Sequence, residues 1–242
     1  MKYFTEQYYK ACLASAIDGA LQDDVRAAKP EQAYKDQIWS QSFRAFLEQL
    51  DLSGAEETTP AVVQAKEQFR ALVSSYVEQL QELLPDNIRK NVADWELLAM
   101  NHASPALCRQ IRRFCASNRR QMQRISRAYE SYYKKACVHF KLDMISQIGF
   151  HDCLITEIVP QLGDLFFAFA AAPAHSYITA MRCVKCDVIK DDGLKAGATW
   201  LYEEVYLVED KYELQVLVQL PNGAISNFVL QAQRFEFRGS IT

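Results

Sequence analysis

The residues best suited to chemistry lie where the spacing of the apolar residues changes, near position 150. Before this point apolar residues recur every three or four positions, and after it they alternate every two. His151 and Asp152 stand at the change, and a histidine beside a carboxylate could serve a hydrolase as a general base. In a strand, however, neighbours point to opposite faces, and the sequence offers neither a nucleophile nor an oxyanion donor. The pattern therefore favours a structural pair whose side chains bond backbone groups at the junction.

A zinc site is the second chemical possibility. His151 and Cys153 could share one face of a strand, and Cys183 and Cys186 form a Cys-x-x-Cys pair further along. Four such ligands could in principle hold zinc. The cysteine pair lies in a strand pattern and lacks flanking turn glycines, which makes it a weak signal. We therefore expect no metal and no cofactor, and keep these four residues as weak candidates.

An aromatic strand is the third candidate. Alternate residues of Thr199–Val208 place three aromatic side chains and a carboxylate on one face, a composition suited to binding a ligand or a peptide. The residues of this face are Trp200, Tyr202, Glu204 and Tyr206. Glu203 faces away from Glu204, so the two do not form an acid–base pair. The alternative is a central strand whose aromatic residues pack in the core.

A basic helix is the strongest electrostatic feature. Residues 109–135 carry nine Lys and Arg against Glu130 alone, although the whole chain has a net charge of −3. Nearly all of the arginines, from Arg109 to Arg127, lie off the apolar seam of this helix and are typical of a solvated face. The same face could complement acidic flanks of the fold or a second subunit. Because the chain is acidic overall, we do not expect a nucleic-acid partner.

These candidates are positioned by two kinds of element. Helical spacing covers residues 1–148, with starts marked by Thr5, Pro60 and Ser104-Pro105, and with Pro85 ending one long helix. Residues 149–242 read as about seven strands, among them residues 177–184 and 212–220. Strands that follow a run of helices predict an α+β fold, here an all-helical domain and an antiparallel β domain that could curl into a partial barrel.

The bulk properties predict a reduced, cytoplasmic protein. The seven cysteines fall mostly on apolar faces, where a free thiol behaves as a small hydrophobic group. The start lacks the apolar core of a secretion signal. The longest apolar run, residues 165–174, is far below the ~20 residues of a membrane-spanning helix. We therefore expect no membrane association.

Several short motifs resemble an uncharacterised bacterial family of unknown function. They are Met1-Lys2-Tyr3-Phe4-Thr5, Leu84-Pro85-Asp86, Val92-Ala93-Asp94, Phe150-His151-Asp152-Cys153-Leu154-Ile155 and Trp200-Leu201-Tyr202-Glu203-Glu204. This resemblance implies a helical half followed by a small β half, and it implies no activity. The opening His-Asp-x-x-Ile is also similar to that of small β domains in some bacterial immunity proteins, which bind toxins.

With no complete catalytic set, the sequence predicts a non-enzymatic binding or interaction protein. Its predicted surface joins the aromatic strand face to His151 and Asp152, and its partner is an unidentified protein or small molecule. The alternative is a hydrolase with its site at the helix–sheet junction, where Glu203 or Glu204 would assist His151 and Asp152.

Overall fold

The structure, a computed structural model, describes residues 1–52, 54–56, 58–140, 148–170 and 178–239. The chain divides into two compact units. We call Lys10–Arg120 the helical unit, and Met1–Tyr9 together with Gln121–Thr242 the β unit. The predicted domain boundary lies between residues 148 and 149, close to residues 141–147, which lie outside the described residues. This boundary stays a prediction.

Six α-helices account for most of the described residues up to position 140. They are α1 (Glu6–Ser15), α2 (Gln32–Gln49), α3 (Pro60–Leu83), α4 (Asp86–Arg89), α5 (Trp95–Ala99) and α6 (Pro105–Ala136). Short 3-10 turns occupy Val25–Ala28 and Cys137–His139. Among these described residues, no helix is both long and apolar enough to cross a membrane.

The helices start where capping chemistry predicts. The Thr59 hydroxyl accepts a hydrogen bond from the backbone N–H of Val62 at 3.4 Å, and Pro60 occupies the first turn of α3. Ser104 accepts one from Leu107 at the start of α6. In the helical unit, the buried stripe of α3 ends at Leu80, which packs with Ile111 of α6 in one apolar cluster. The predicted helix limits at Pro60, Pro85 and Pro105 are therefore confirmed.

A two-residue parallel ladder inside the helical unit was not predicted. It pairs β1 (Gln22–Asp23) with β2 (His102–Ala103), so that Gln22 stands beside His102. The backbone N–H of Gln22 donates to the carbonyl of Asn101 at 2.8 Å, and Asp24 donates to Ala103 at 2.9 Å. Strands this short have no periodicity to read, because alternation needs at least four residues to be recognised.

The β unit contains an open, fully antiparallel sheet of eight strands in the order β10-β5-β4-β3-β7-β8-β9-β6. The strands are β3 (Cys153–Gln161), β4 (Asp164–Phe169), β5 (Ile178–Val184), β6 (Asp187–Asp191), β7 (Thr199–Val208), β8 (Lys211–Gln219), β9 (Ile225–Ala232) and β10 (Arg234–Gly239). The predicted α+β class is confirmed, with eight strands against about seven. Among the described residues, β10 and β6 form the two edges of the sheet, which does not close into a barrel. Tyr177, predicted to begin a strand, lies outside the described residues.

A β-bulge interrupts β7 near its start. Trp200 pairs with Val218 and Tyr202 pairs with Leu217, so Leu201 is an extra residue in this strand. An extra residue shifts the alternation, and every side chain after it moves to the other face relative to those before it. The bulge therefore determines on which side of the sheet each side chain of the predicted aromatic face lies.

Candidate functional site

A groove lies within the helical unit. It has a volume of about 730 Å³ and opens between the second half of α2 and the middle of α3. Phe69 and Met100 are buried at its base, whereas Leu72 on its wall is 55% exposed. A volume of this size falls within the ~300–1,000 Å³ typical of small-molecule sites. We call it the α2–α3 groove.

The side chains that line the groove are uncharged. Its polar residues are Gln22, Gln41, Ser42, Gln49, Ser75, Tyr76, Gln79, Asn101 and His102, and the remainder are apolar. Burial raises the pKa of the Tyr76 hydroxyl, so this group stays neutral at physiological pH. Amides and hydroxyls can both donate and accept hydrogen bonds, so they suit a ligand with neutral polar groups.

The parallel ladder contains His102, which lines the groove. Burial lowers the pKa of His102, so the ring is neutral near pH 7. Its Nδ1 atom is buried without a hydrogen-bond partner among the described residues. The adjacent Asn101 has a left-handed backbone with φ of 65°, a conformation that asparagine tolerates better than most residues.

Sequence reasoning missed this groove. The sequence shows glutamines beside the apolar stripes of α2 and α3, but a polar residue beside a stripe is ordinary on an amphipathic helix. Nothing in the spacing indicates that the helices leave a cleft between Ser42 and Ser75, or that a two-residue ladder brings Gln22 to its edge.

The predicted junction pair lies in a turn rather than in a strand. Asp152 has a left-handed φ of 62°, and its carboxylate lies 3.5 Å from Nε2 of His151, so the prediction that the two side chains point apart is wrong. The His151 Nδ1–H donates to the carbonyl of Leu201, the bulge residue. The backbone N–H of Asp152 donates to the carbonyl of Trp200 at 2.8 Å. The His151 side chain thus bonds the backbone of the bulge, as the structural interpretation predicts, whereas Asp152 does so through its backbone N–H and not through its side chain.

The predicted aromatic face is divided by the bulge. Trp200 is 1% exposed and packs in the core of the β unit with Phe150 and Phe167. Tyr202 lies on the other face, where its ring contacts Phe4 at 5.7 Å and His151 at 4.7 Å. The expectation that all four residues share one face is therefore wrong, because the bulge at Leu201 reverses the alternation between Trp200 and Tyr202.

The other members of that face hold the amino-terminal segment of the same unit. Glu204 is fully buried, and its carboxylate accepts backbone N–H hydrogen bonds from Lys2, Tyr3 and Phe4 at 2.6–2.8 Å. Tyr206 donates its hydroxyl to the same carboxylate. A buried carboxylate is stable in this position because four donors surround it. This carboxylate therefore binds the amino-terminal segment of its own chain.

The side chain of Glu203 lies on the opposite face of β7 from that of Glu204, as predicted. Its Oε2 accepts a hydrogen bond from the Trp200 indole at 2.7 Å. Burial raises the pKa of Glu203 to about 7, although the Trp200 hydrogen bond and the charge of His151 both act to lower it. A carboxyl group with this pKa can exchange a proton near neutral pH.

The cysteine candidates lie in the sheet and its turns. Cys153 and Cys183 are buried, and burial raises the pKa of the Cys183 thiol well above its ordinary value. The pKa of Cys186 is raised by the same cause. Across the described ranges, no group of three or more His, Cys, Asp or Glu side chains is placed to hold a metal ion. All seven cysteines are free thiols.

Residues 34–227 match the family described as Protein of unknown function (DUF4085), which is more than half of the chain. The chain therefore belongs to this family, and the resemblance to an uncharacterised family is confirmed. Comparison with curated proteins and with solved structures gave no match.

Proposed function

We propose that this protein is a non-enzymatic binding protein whose ligand occupies the α2–α3 groove. The observation that carries the proposal is a concavity of about 730 Å³ with an apolar base and an uncharged polar lining. Such a combination of apolar floor and few hydrogen-bonding groups is typical of ligand sites. The surface predicted from sequence supports this less well, because Glu204 and Tyr206 already bind the amino-terminal segment.

The lining selects the chemistry of the ligand. A charged ligand would lose hydration in the groove without gaining a counter-ion from any lining residue, which is unfavourable. A neutral ligand can place an apolar group on Phe69 and Met100 and hydrogen-bond the amides of Gln41 and Gln79. We therefore assign the groove to a neutral ligand that carries an apolar group together with amide or hydroxyl groups.

Two isosteric probes test this assignment: N-acetylleucinamide, which is neutral, and N-acetylleucine, which is anionic at pH 7. A ligand of about a dozen heavy atoms, each contributing roughly 0.3 kcal/mol, binds with a Kd of ~2 mM. We expect the neutral probe to shift the amide NMR signals of Leu72 and Ser75 and the anionic probe to bind about tenfold more weakly. Equal binding, or shifts only outside the groove, would contradict the assignment.

The free thiols favour a location of the protein in a reducing compartment. Cys108, Cys115, Cys153 and Cys183 are buried and free. Disulfides are rare in the cytosol, where thiols are kept reduced. We accordingly propose a cytoplasmic location.

A hydrolase-type function is the second candidate, and one observation favours it. Glu203, with a pKa of about 7, lies within the field of His151, which itself contacts Asp152. Hydrolysis of p-nitrophenyl acetate by the wild type and by Glu203→Gln tests this candidate. A rate that falls at least about tenfold on substitution would support it, since general acid–base catalysis contributes ~10²–10⁴-fold. Equal rates would remove it.

A further inference from the structure

Three arginines of the helical unit form a row on the exposed side of α6. At 3.6 residues per turn, their positions fall within about 40° of one face of this helix and extend over about 17 Å. The members are Arg109, Arg113 and Arg120, and all are exposed. We call them the arginine row. The opposite side of the helix carries the buried Leu107, Ile111 and Cys115.

The arginine row differs from the other arginines of the helix in its contacts. Arg119 forms an ion pair with Asp18 at 2.7 Å and also donates to the carbonyl of Ser15. Arg112 donates to the carbonyl of Leu21 at 3.3 Å. In the part of the chain that the structure describes, no ion pair or side-chain hydrogen bond is found for any guanidinium of the row. The helix therefore has arginines that serve the fold and arginines that do not.

We propose that the arginine row is a docking surface for an acidic helix of a protein partner. Arg109 and Arg113 are four residues apart, and like charges at this spacing repel and destabilise a helix. Opposing carboxylates would remove that repulsion. The planar guanidinium group binds a carboxylate through two parallel hydrogen bonds, which a lysine cannot do.

The shape of the row favours a protein helix over a nucleic acid. The row is one side chain wide, whereas the phosphates that border a DNA major groove form two rows ~12 Å apart. Its intervening positions include Ala116 and Ser117, which allow close approach of a second helix and offer no ring for stacking on bases. The net charge of −3 also opposes a polyanion, but it does not oppose a local row of carboxylates.

Three fluorescent probes test the proposal on the full chain. One is a helical peptide with glutamates at the spacing of the arginine row in an Ala/Gln background. The second has the same composition with its glutamates spread around the helix, and the third is a DNA duplex of equal length. Binding is measured by anisotropy at low and high salt. The variants are Arg113→Glu and Arg120→Glu, with the exposed Arg44→Glu and Arg70→Glu as controls of equal charge change.

We expect the patterned peptide to bind about tenfold more tightly than the scrambled one, with salt weakening both. Arg113→Glu and Arg120→Glu should each lower this affinity by about tenfold, and the two controls should not. The circular dichroism of all four variants should stay unchanged, because the positions are exposed. Equal binding of both peptides, tighter binding of the duplex, or equal losses in the control variants would each overturn the proposal.

Discussion

The backbone N–H of Phe4 donates a 2.6 Å hydrogen bond to the carboxylate of Glu204, a residue 200 positions further along the chain. The backbone N–H groups of Lys2 and Tyr3 donate to the same carboxylate, and the Tyr206 hydroxyl is the fourth donor. The carboxylate is fully buried, so these four donors replace the water that an ionised group requires. Glu204 therefore fixes the start of the chain to strand β7.

The first prediction concerns this carboxylate. Glu204→Gln replaces one acceptor oxygen by an NH₂ group, which cannot accept a hydrogen bond from a backbone N–H. We expect the free energy of unfolding to fall by about 2–3 kcal/mol, because a buried donor loses its partner. Amide hydrogen exchange at Tyr3 and Phe4 should accelerate in parallel.

The control is Glu157→Gln, which changes an exposed glutamate on β3 of the same sheet. This substitution should alter stability by less than about 0.5 kcal/mol. Slow exchange at Tyr3 and Phe4 in Glu204→Gln would show that the carboxylate does not hold the segment.

The second prediction concerns Trp200, which sequence reasoning placed on a binding face. Its side chain is 1% exposed in the core of the β unit, so Trp200→Ala should destabilise the protein by about 3–5 kcal/mol. Leu162→Ala, at a fully exposed turn position, should be neutral. Urea unfolding of both variants gives the comparison, and a neutral Trp200→Ala would contradict the bulge register.

The third prediction is a pH dependence. The folded pKa of Glu203 is about 7 against an ordinary value of 4.5, so the folded state binds the proton more tightly. This group therefore leaves stability unaffected below pH 4.5 and lowers it as pH rises toward 7. Glu203→Gln removes the effect, and its stability relative to wild type should rise by a few kcal/mol between pH 5 and pH 8.

Urea unfolding of wild type and Glu203→Gln at half-unit pH steps measures this difference directly. The other titrating groups are common to the two proteins and cancel in the comparison. A difference that stays constant with pH would show that Glu203 is ionised normally in the folded state.

The helices and strands were predictable because their signals are local. Thr59 and Pro60 indicate the start of α3, and the alternation of apolar and polar residues after Phe150 indicates the strands. The face of β7 was not predictable, since one extra residue at Leu201 reverses the alternation and no residue type there signals a bulge. The contact of His151 with Asp152 depends on a left-handed Asp152, which sequence does not specify.

The α2–α3 groove could not be predicted from the sequence either. Gln41 on α2, Gln79 on α3 and His102 on β2 are distant in sequence, and only tertiary packing brings them to one concavity. A pattern of amphipathic helices predicts that apolar faces are buried. It does not predict where two such faces fail to meet.

The central claim, that the α2–α3 groove binds a neutral ligand, is tested most directly by filling the groove. Ala45 lines the groove and Ala33 does not, and both are exposed alanines on α2. The measurement is the Kd of N-acetylleucinamide for Ala45→Trp and for Ala33→Trp. We predict that Ala45→Trp weakens binding about tenfold or more while Ala33→Trp retains the wild-type Kd. An unchanged Kd in Ala45→Trp would contradict the account.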